Sequence, residues 1–228
     1  MADMRISRPS IIVFDLDGTL IEFRLELSEA KRRIVETMLS MGMPAEAVSV
    51  KDSIQTLIQK SELHLGVDRS KALKAHVLEI MREYEIRAAS RSTPRRGVNE
   101  LLYELKKNGY RLAVATNTHR EAAILSLSRA GIIGHLEVVL TRDDVDNLKP
   151  RGDVLLKVLE LMNTDPADAL YVGDSVHDLQ AARETGVRFI GIEGGEHSRD
   201  DLMAAGCETV LSNPMELLNF LGLPYQGG

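Results

Sequence analysis

The stretch Ser10-Ile-Ile-Val-Phe-Asp-Leu-Asp-Gly-Thr-Leu20 decides the fold. Four apolar residues, Ile11 to Phe14, run directly into Asp15, Asp17 and Gly18. An apolar run of that length, closed by a turn signal, reads as a central strand covered on both faces. In open α/β sheets the carboxyl ends of such strands are where ligands bind, so Asp15 stands where chemistry is usually done. Two carboxylates so close together suit a nucleophile with an acid/base partner, or a hard cation held through oxygen, and both uses fit phosphoryl transfer. A turn whose aspartates merely bond the backbone would carry the same Asp-x-Asp-Gly pattern.

Three later segments bear on that choice. Arg111-Leu-Ala-Val-Ala-Thr-Asn117 is a second apolar strand ending in a hydroxyl and an amide. Leu148-Lys149-Pro150 places a lysine in a break before the helical pattern Asp153 to Met162. Ala169-Leu-Tyr-Val-Gly-Asp-Ser-Val-His-Asp178 is a third strand, ending in Gly173-Asp174 with a further aspartate one helical turn on. Taken singly, each polar residue reads as a solvated loop position, whereas their order and spacing form a pattern.

That pattern resembles the haloacid dehalogenase superfamily, whose motifs match Asp15-x-Asp17-Gly-Thr-Leu, Thr116-Asn117, Lys149-Pro150 and Gly173-Asp174-Ser-x-x-Asp178. Within it the chain is most similar to the phosphoglycolate phosphatase-like and β-phosphoglucomutase-like branch, which carries a helical cap after the first motif. Asp17 sets it apart from the dehalogenase and phosphonatase branches, which lack an aspartate at that position. The resemblance implies a magnesium-dependent phosphatase that hydrolyses a small phosphate monoester through an aspartyl-phosphate. By the same resemblance Asp15 is the nucleophile and Asp17 the acid/base. Thr116, Asn117 and Lys149 bind the phosphoryl group, Thr116 and Lys149 also counting as catalytic. Asp15, Asp174 and the Asp17 carbonyl are the expected magnesium ligands, and Asp178 supports Lys149 or a metal-bound water. A phosphosugar mutase would use the same residues. A receiver-like phospho-switch fits less well, because its phosphorylated aspartate and its metal-binding acidic pair lie on different strands.

The chain has 228 residues, enough for a full core with an insertion. After Leu20 the periodicity becomes helical, and from Leu25 to Met81 there is no strand pattern. The first helix stops at Gly42-Met-Pro44, a second pattern runs from Val48 to Leu65, and Asp68 is expected to cap a third. Pro94 and Gly97 mark the return to alternating strands and helices. Strands near 10–15, 110–116, 137–141, 168–173 and 187–192, with a helix from Val98 to Asn108, predict an α/β fold. The expected architecture is a Rossmann-like parallel sheet core over residues 1–21 and 94–228, with an inserted all-α cap over 22–93. Residues 224–228 read as a loose tail.

A net charge of −6 without acidic or basic runs gives no footprint for nucleic acid or an anionic membrane. No apolar run approaches the ~18 residues of a membrane span, and Met1 to Arg5 lack the character of a signal peptide. The expectation is a cytoplasmic enzyme of a small phosphorylated metabolite, acting as a monomer or homodimer. The one cysteine, Cys207, reads as a packed residue away from every motif. His119 and His177 flank the motifs without metal-ligand spacing, and Arg95, Arg96 and Arg151 read as solvated loop charges in preference to binders of an acidic substrate group.

Overall fold

The computed structural model describes residues 8–23 and 25–223. Its strands are β1 (Ile11–Phe14), β2 (Ile21–Glu22), β3 (Thr93–Pro94), β4 (Arg111–Ala115), β5 (Val138–Leu140), β6 (Ala169–Gly173), β7 (Arg188–Ile192) and β8 (Val210–Leu211). Six of them form one sheet in the order β5-β4-β1-β6-β7-β8, with every pairing parallel. The helices are α1 (Leu27–Ser40), α2 (Ile54–Leu65), α3 (Val67–Ala89), α4 (Val98–Lys107), α5 (Arg120–Arg129), α6 (Asp153–Leu161), α7 (Val176–Thr185), α8 (Arg199–Ala204) and α9 (Glu216–Phe220). The chain divides into two compact units, Arg24–Ala89 and the flanking remainder.

In the larger unit the four residues of β1 are buried because the strand is paired on both edges and covered on both faces. Ile12 and Phe14 pack with Leu101 and Leu105 of α4, Leu127 of α5, and Leu112, Val114, Leu170 and Val172 of the neighbouring strands. Ile11 and Val13 project the other way, into Val154, Leu155 and Val158 of α6 and Ala181 and Ala182 of α7. The two-residue period of a strand thus feeds two cores, each fully buried aliphatic side chain contributing about 1.5–3 kcal/mol relative to exposure.

The smaller unit is wholly helical and has its own core. Ala30, Ile34 and Met38 repeat every fourth residue along α1 and meet Leu57 of α2 and Leu73, Val77, Ile80 and Tyr84 of α3. That spacing lays one apolar stripe on each helix. Two details differ from the sequence expectation. Residues Ala45–Ala47 form a short 3₁₀ turn, and α2 begins only at Ile54, where the Ser53 hydroxyl caps the Thr56 amide. The start of α3 is supplied by the Gly66 carbonyl, which accepts the Ser70 amide, so Asp68 lies inside the first turn and complements the helix dipole instead of capping it.

The larger unit also holds three strands that the sequence pattern does not announce. β8 extends the sheet beyond β7, and β2 pairs antiparallel with β3, Ile21 opposite Pro94 and Glu22 opposite Thr93. The chain therefore leaves and re-enters the larger unit on two adjacent strands. Residues 224–228, expected to be a loose tail, lie outside the described residues.

Replacing Ile12 by alanine empties the centre of one core, and the expected loss is about 2–5 kcal/mol in urea unfolding. Leu63, 84% exposed on α2, should change stability by less than about 0.5 kcal/mol when replaced by glutamine in the same measurement.

Candidate active site

The sheet order sets the site. From β1 the chain builds β4 and β5 on one side and later β6, β7 and β8 on the other, so β1 is the switch point of a doubly wound sheet. Phe14 is in register with Val114 and Val172, which brings Asp15, Thr116 and Asp174 to the carboxyl ends of three adjacent strands. All three residues are buried.

Lys149 enters from the loop before α6, after which the Lys149–Pro150 peptide is cis. Its backbone is gripped by the Asn117 side chain, whose amide nitrogen donates to the Lys149 carbonyl (3.1 Å) and whose oxygen accepts the Lys149 amide (3.0 Å). The three protons of the ammonium are then shared among four acceptors, Asp15 Oδ1 (2.6 Å), Asp178 Oδ1 (2.6 Å), the Tyr171 hydroxyl (3.0 Å) and the Ala115 carbonyl (3.2 Å). Tyr171 itself donates to Asp178 Oδ1 at 2.6 Å. The second oxygen of Asp178 accepts from the Ser175 amide and hydroxyl, closing a capping box at the start of α7.

Asp174 is clasped from two sides. Thr19 donates to Oδ1 (2.9 Å), and the Glu196 amide, from the loop after β7, donates to Oδ2 (2.6 Å). The backbone approaches so closely that a Cβ on Gly18 would lie 2.4 Å from Asp174 Oδ2, and one on Gly195 1.9 Å from it. Gly18 also sits at φ +84°, so glycine is required there on both counts. Asp17, partly buried, accepts a hydrogen bond from the Thr118 hydroxyl, and Thr118 in turn donates its amide to the Thr116 hydroxyl (3.1 Å).

Carboxylate oxygens of Asp15, Asp174 and Asp178 lie within 4.8 Å of one another. Two of these three buried carboxylates, Asp15 and Asp178, pair with the Lys149 ammonium, and Asp174 is held by Thr19 and the Glu196 amide. Burial, together with Asp178, Asp174 and Asp17, pushes the Asp15 carboxyl well up despite Lys149. Asp174 is raised by burial and by Asp178, against the hydrogen bonds from Glu196 and Thr19. Asp178 is raised by its burial, but Lys149 and the bonds from Ser175 and Tyr171 outweigh this and hold it low. Burial opposes the charge on Lys149, yet Asp15 and Asp178 together keep its ammonium well above the usual lysine range. Negative charge in excess of the buried ammonium, presented on oxygen, is a donor set suited to a hard divalent ion.

The sequence placed Asp15, Asp17, Thr116, Asn117, Lys149, Asp174 and Asp178 at one site, and the fold brings all seven to this end of the sheet. It missed Tyr171, Thr118, Thr19 and Ser175. Tyr171 carried a signal, since a hydroxyl in the buried run Ala169–Gly173 must find a partner. Arg95 is not a solvated loop charge: it is half-buried, and its guanidinium reaches two backbone carbonyls, Gly18 and Glu193. Arg96 is exposed, and Arg151 pairs with Glu184 on the surface (2.8 Å). His119 caps α5 and faces Asp143 (3.5 Å), whereas His177 is exposed beside His197.

Residues 12–192 match the family profile described as haloacid dehalogenase-like hydrolase. The chain belongs to that family of enzymes. Among its curated relatives, the plasmid phosphoglycolate phosphatase of Cupriavidus necator is 30% identical over 208 residues, covering 89% of this chain and 88% of the relative. Pyrophosphatase PpaX of Bacillus cereus (strain B4264) is 27% identical over 220 residues, covering 94% and 97%. Among solved structures, a hydrolase from Pseudomonas syringae superposes with a TM-score of 0.69 at 24% identity, covering 93% of this chain and 98% of that one, which shows that the two share a fold. Among the described residues no helix is long and apolar enough to cross a membrane.

Removing the buried ammonium with Lys149→Met, in the presence of chelator, leaves Asp15 and Asp178 without their cation and should destabilise the protein by about 3–5 kcal/mol at neutral pH. The loss should shrink as the pH falls. In the wild type the depressed Asp178 carboxyl stabilises the fold above its unfolded pKa, and that contribution disappears as pH drops through the folded value, whereas in the variant the carboxylates escape repulsion by taking up protons. Urea unfolding of both proteins between pH 7 and pH 4 checks this, and an equal difference at both ends would contradict it.

Proposed function

We propose that this protein is a magnesium-dependent phosphatase that hydrolyses a small phosphate monoester through an aspartyl-phosphate on Asp15. The observation that carries the reading is the buried Asp15 carboxylate at the end of β1, with Lys149 Nζ 2.6 Å from one oxygen and Asp174 and Asp178 beside it. The names of the relatives, phosphoglycolate phosphatase and pyrophosphatase, support the same chemistry.

Lys149 orients Asp15 and favours its ionised form, the state that attacks phosphorus. As the Asp15–phosphorus bond forms and the ester bond breaks, Asp17 gives its proton to the leaving alkoxide. Asp17 then takes a proton from water, whose oxygen attacks the phosphorus of the acyl phosphate. Inorganic phosphate leaves and Asp15 is regenerated. The Thr118 hydroxyl on Asp17 fixes where that proton is handled. Thr116 and the Asn117 backbone amide hold phosphoryl oxygens, while the Asn117 side chain sets Lys149. The side chains of Asp15 and Asp174 and the Asp17 carbonyl would hold magnesium, whose charge offsets the repulsion between a phosphate dianion and these carboxylates. Asp178 is committed to Lys149, Tyr171 and Ser175, which supports a role in holding the lysine.

All of these groups belong to the larger unit, so the phosphoryl-transfer chemistry needs none of residues 24–89 directly. The substrate class is a small phosphorylated metabolite in a cytoplasmic setting, with phosphoglycolate and pyrophosphate the first compounds to assay.

A panel of small phosphate esters and pyrophosphate, incubated with magnesium and followed for released phosphate and for isomerised sugar in parallel, tests the reading. Phosphate release is expected, and isomerisation without release would replace it with a phosphosugar mutase. Asp15→Asn should lower turnover by several orders of magnitude with an unchanged circular-dichroism spectrum, because an amide of the same shape cannot form the acyl phosphate. Retention of more than about a tenth of wild-type turnover would refute covalent catalysis by Asp15.

A further inference from the structure

Arg95 lies where β3 ends, and its own amide continues the β2–β3 pairing by donating to the Leu20 carbonyl (2.9 Å). Its side chain is half-buried, and nothing in the mechanism above uses it. One arm of the guanidinium donates to the Gly18 carbonyl, and the other donates to the Glu193 carbonyl (2.6 Å). Those two carbonyls belong to the two backbone segments that clasp Asp174. Gly18 begins the turn whose next residue, Thr19, donates to Asp174 Oδ1, and Glu193 begins the loop whose Glu196 amide donates to Asp174 Oδ2.

The two segments touch across the carboxylate, since a Cβ on Gly18 would come within 3.1 Å of the Gly195 Cα. The Arg95 guanidinium stands against the second of these segments, close enough that a Cβ on Gly194 would lie 3.1 Å from Arg95 Nη2. Burial works against the Arg95 charge, while the carboxylates that favour it are Asp174 and Glu22. A half-buried cation whose arms end on two carbonyls 175 residues apart in sequence, Gly18 and Glu193, is placed to lock one segment against the other.

We propose that Arg95 is a positioning residue: it straps the turn after β1 to the loop after β7, and so fixes the orientation in which Asp174 presents its carboxylate to a divalent cation beside Asp15. The proposal rests on the phosphatase reading for its consequence in turnover, but its effect on cation binding stands apart from any substrate. A planar fork is needed to reach both carbonyls at once, so lysine, with one point charge, is a poor replacement although it keeps the sign.

The test titrates manganese into wild type, Arg95→Ala, Arg95→Lys and the exposed control Arg96→Ala, following the free ion by paramagnetic resonance with no substrate present. Outer partners of metal ligands are typically worth about tenfold to a hundredfold in affinity, so Arg95→Ala and Arg95→Lys are each expected to raise the dissociation constant by about tenfold or more, with Arg96→Ala unchanged. In phosphate-release assays the same two variants should lose kcat at saturating magnesium far more than they change KM. Methylguanidinium at millimolar concentration should restore part of the affinity of Arg95→Ala and leave wild type unaffected, a response that a merely loosened fold would not give. Wild-type manganese affinity in a folded Arg95→Lys or Arg95→Ala protein would overturn the proposal. Absence of phosphate release by wild type across the whole panel would overturn the phosphatase reading, and the manganese titration would still decide the role of Arg95.

Discussion

Burying an ammonium among carboxylates is unfavourable unless every proton finds an acceptor and every carboxylate keeps a donor, and the Lys149 cluster meets both conditions. Nζ faces Asp15, Asp178, the Tyr171 hydroxyl and the Ala115 carbonyl, groups that come from two strand ends, the middle of a third strand and a helix start. Asp178 passes the constraint on, because its other oxygen closes the cap of α7 through Ser175. The cluster thereby ties the end of β1, the end of β4, the length of β6, the first turn of α7 and the loop before α6 to one point. Loss of any one partner leaves a desolvated group behind, which is why such networks behave as wholes and not as sums of pairs.

The remaining charge is what makes the cluster a site and not merely a structural knot. Asp178 is held ionised by Lys149 and its hydrogen bonds, whereas Asp15 and Asp174 are pushed towards protonation by burial and by the neighbouring carboxylates, Asp178 foremost among them. A protein core that stabilised itself alone would have no use for that surplus. Held at the switch point of a parallel sheet, it is a preformed seat for positive charge, and a phosphate can approach carboxylates only where such charge is present.

Much of this was legible in the chain. The five longer strands of the main sheet announce themselves as apolar runs, and the three missed strands are two residues long, too short for any period to show. The Asp15, Thr116 and Asp174 motifs could be read because they sit next to those runs, and Lys149 because it stands in the break before a helical pattern. The bonds that hold them in place could not. Thr118 reaches Asp17 across 101 residues, and Thr19 reaches Asp174 across 155. Arg95 was misread for the same reason: nothing near Thr93–Gly97 shows that two carbonyls far along the chain will close around its guanidinium. Local pattern reveals which residues carry chemistry, while the supporting contacts appear only once the topology is known.

The central position of β1 has a consequence for how the chain comes to be folded as it is made. Ile11 finds its two neighbours in Arg111 and Ala169, 100 and 158 residues further on, so β1, the first of the described strands, is completed only after β6 has been made. The helices of Arg24–Ala89, by contrast, meet partners close in sequence and are able to condense while β1 still waits. During that interval Ile11, Ile12, Val13 and Phe14 form an uncovered apolar strand with two unsatisfied edges. In a nascent chain of this design β1 stays unpaired until Arg111 and then Ala169 have been made, an interval in which an apolar strand with open edges is exposed to aggregation.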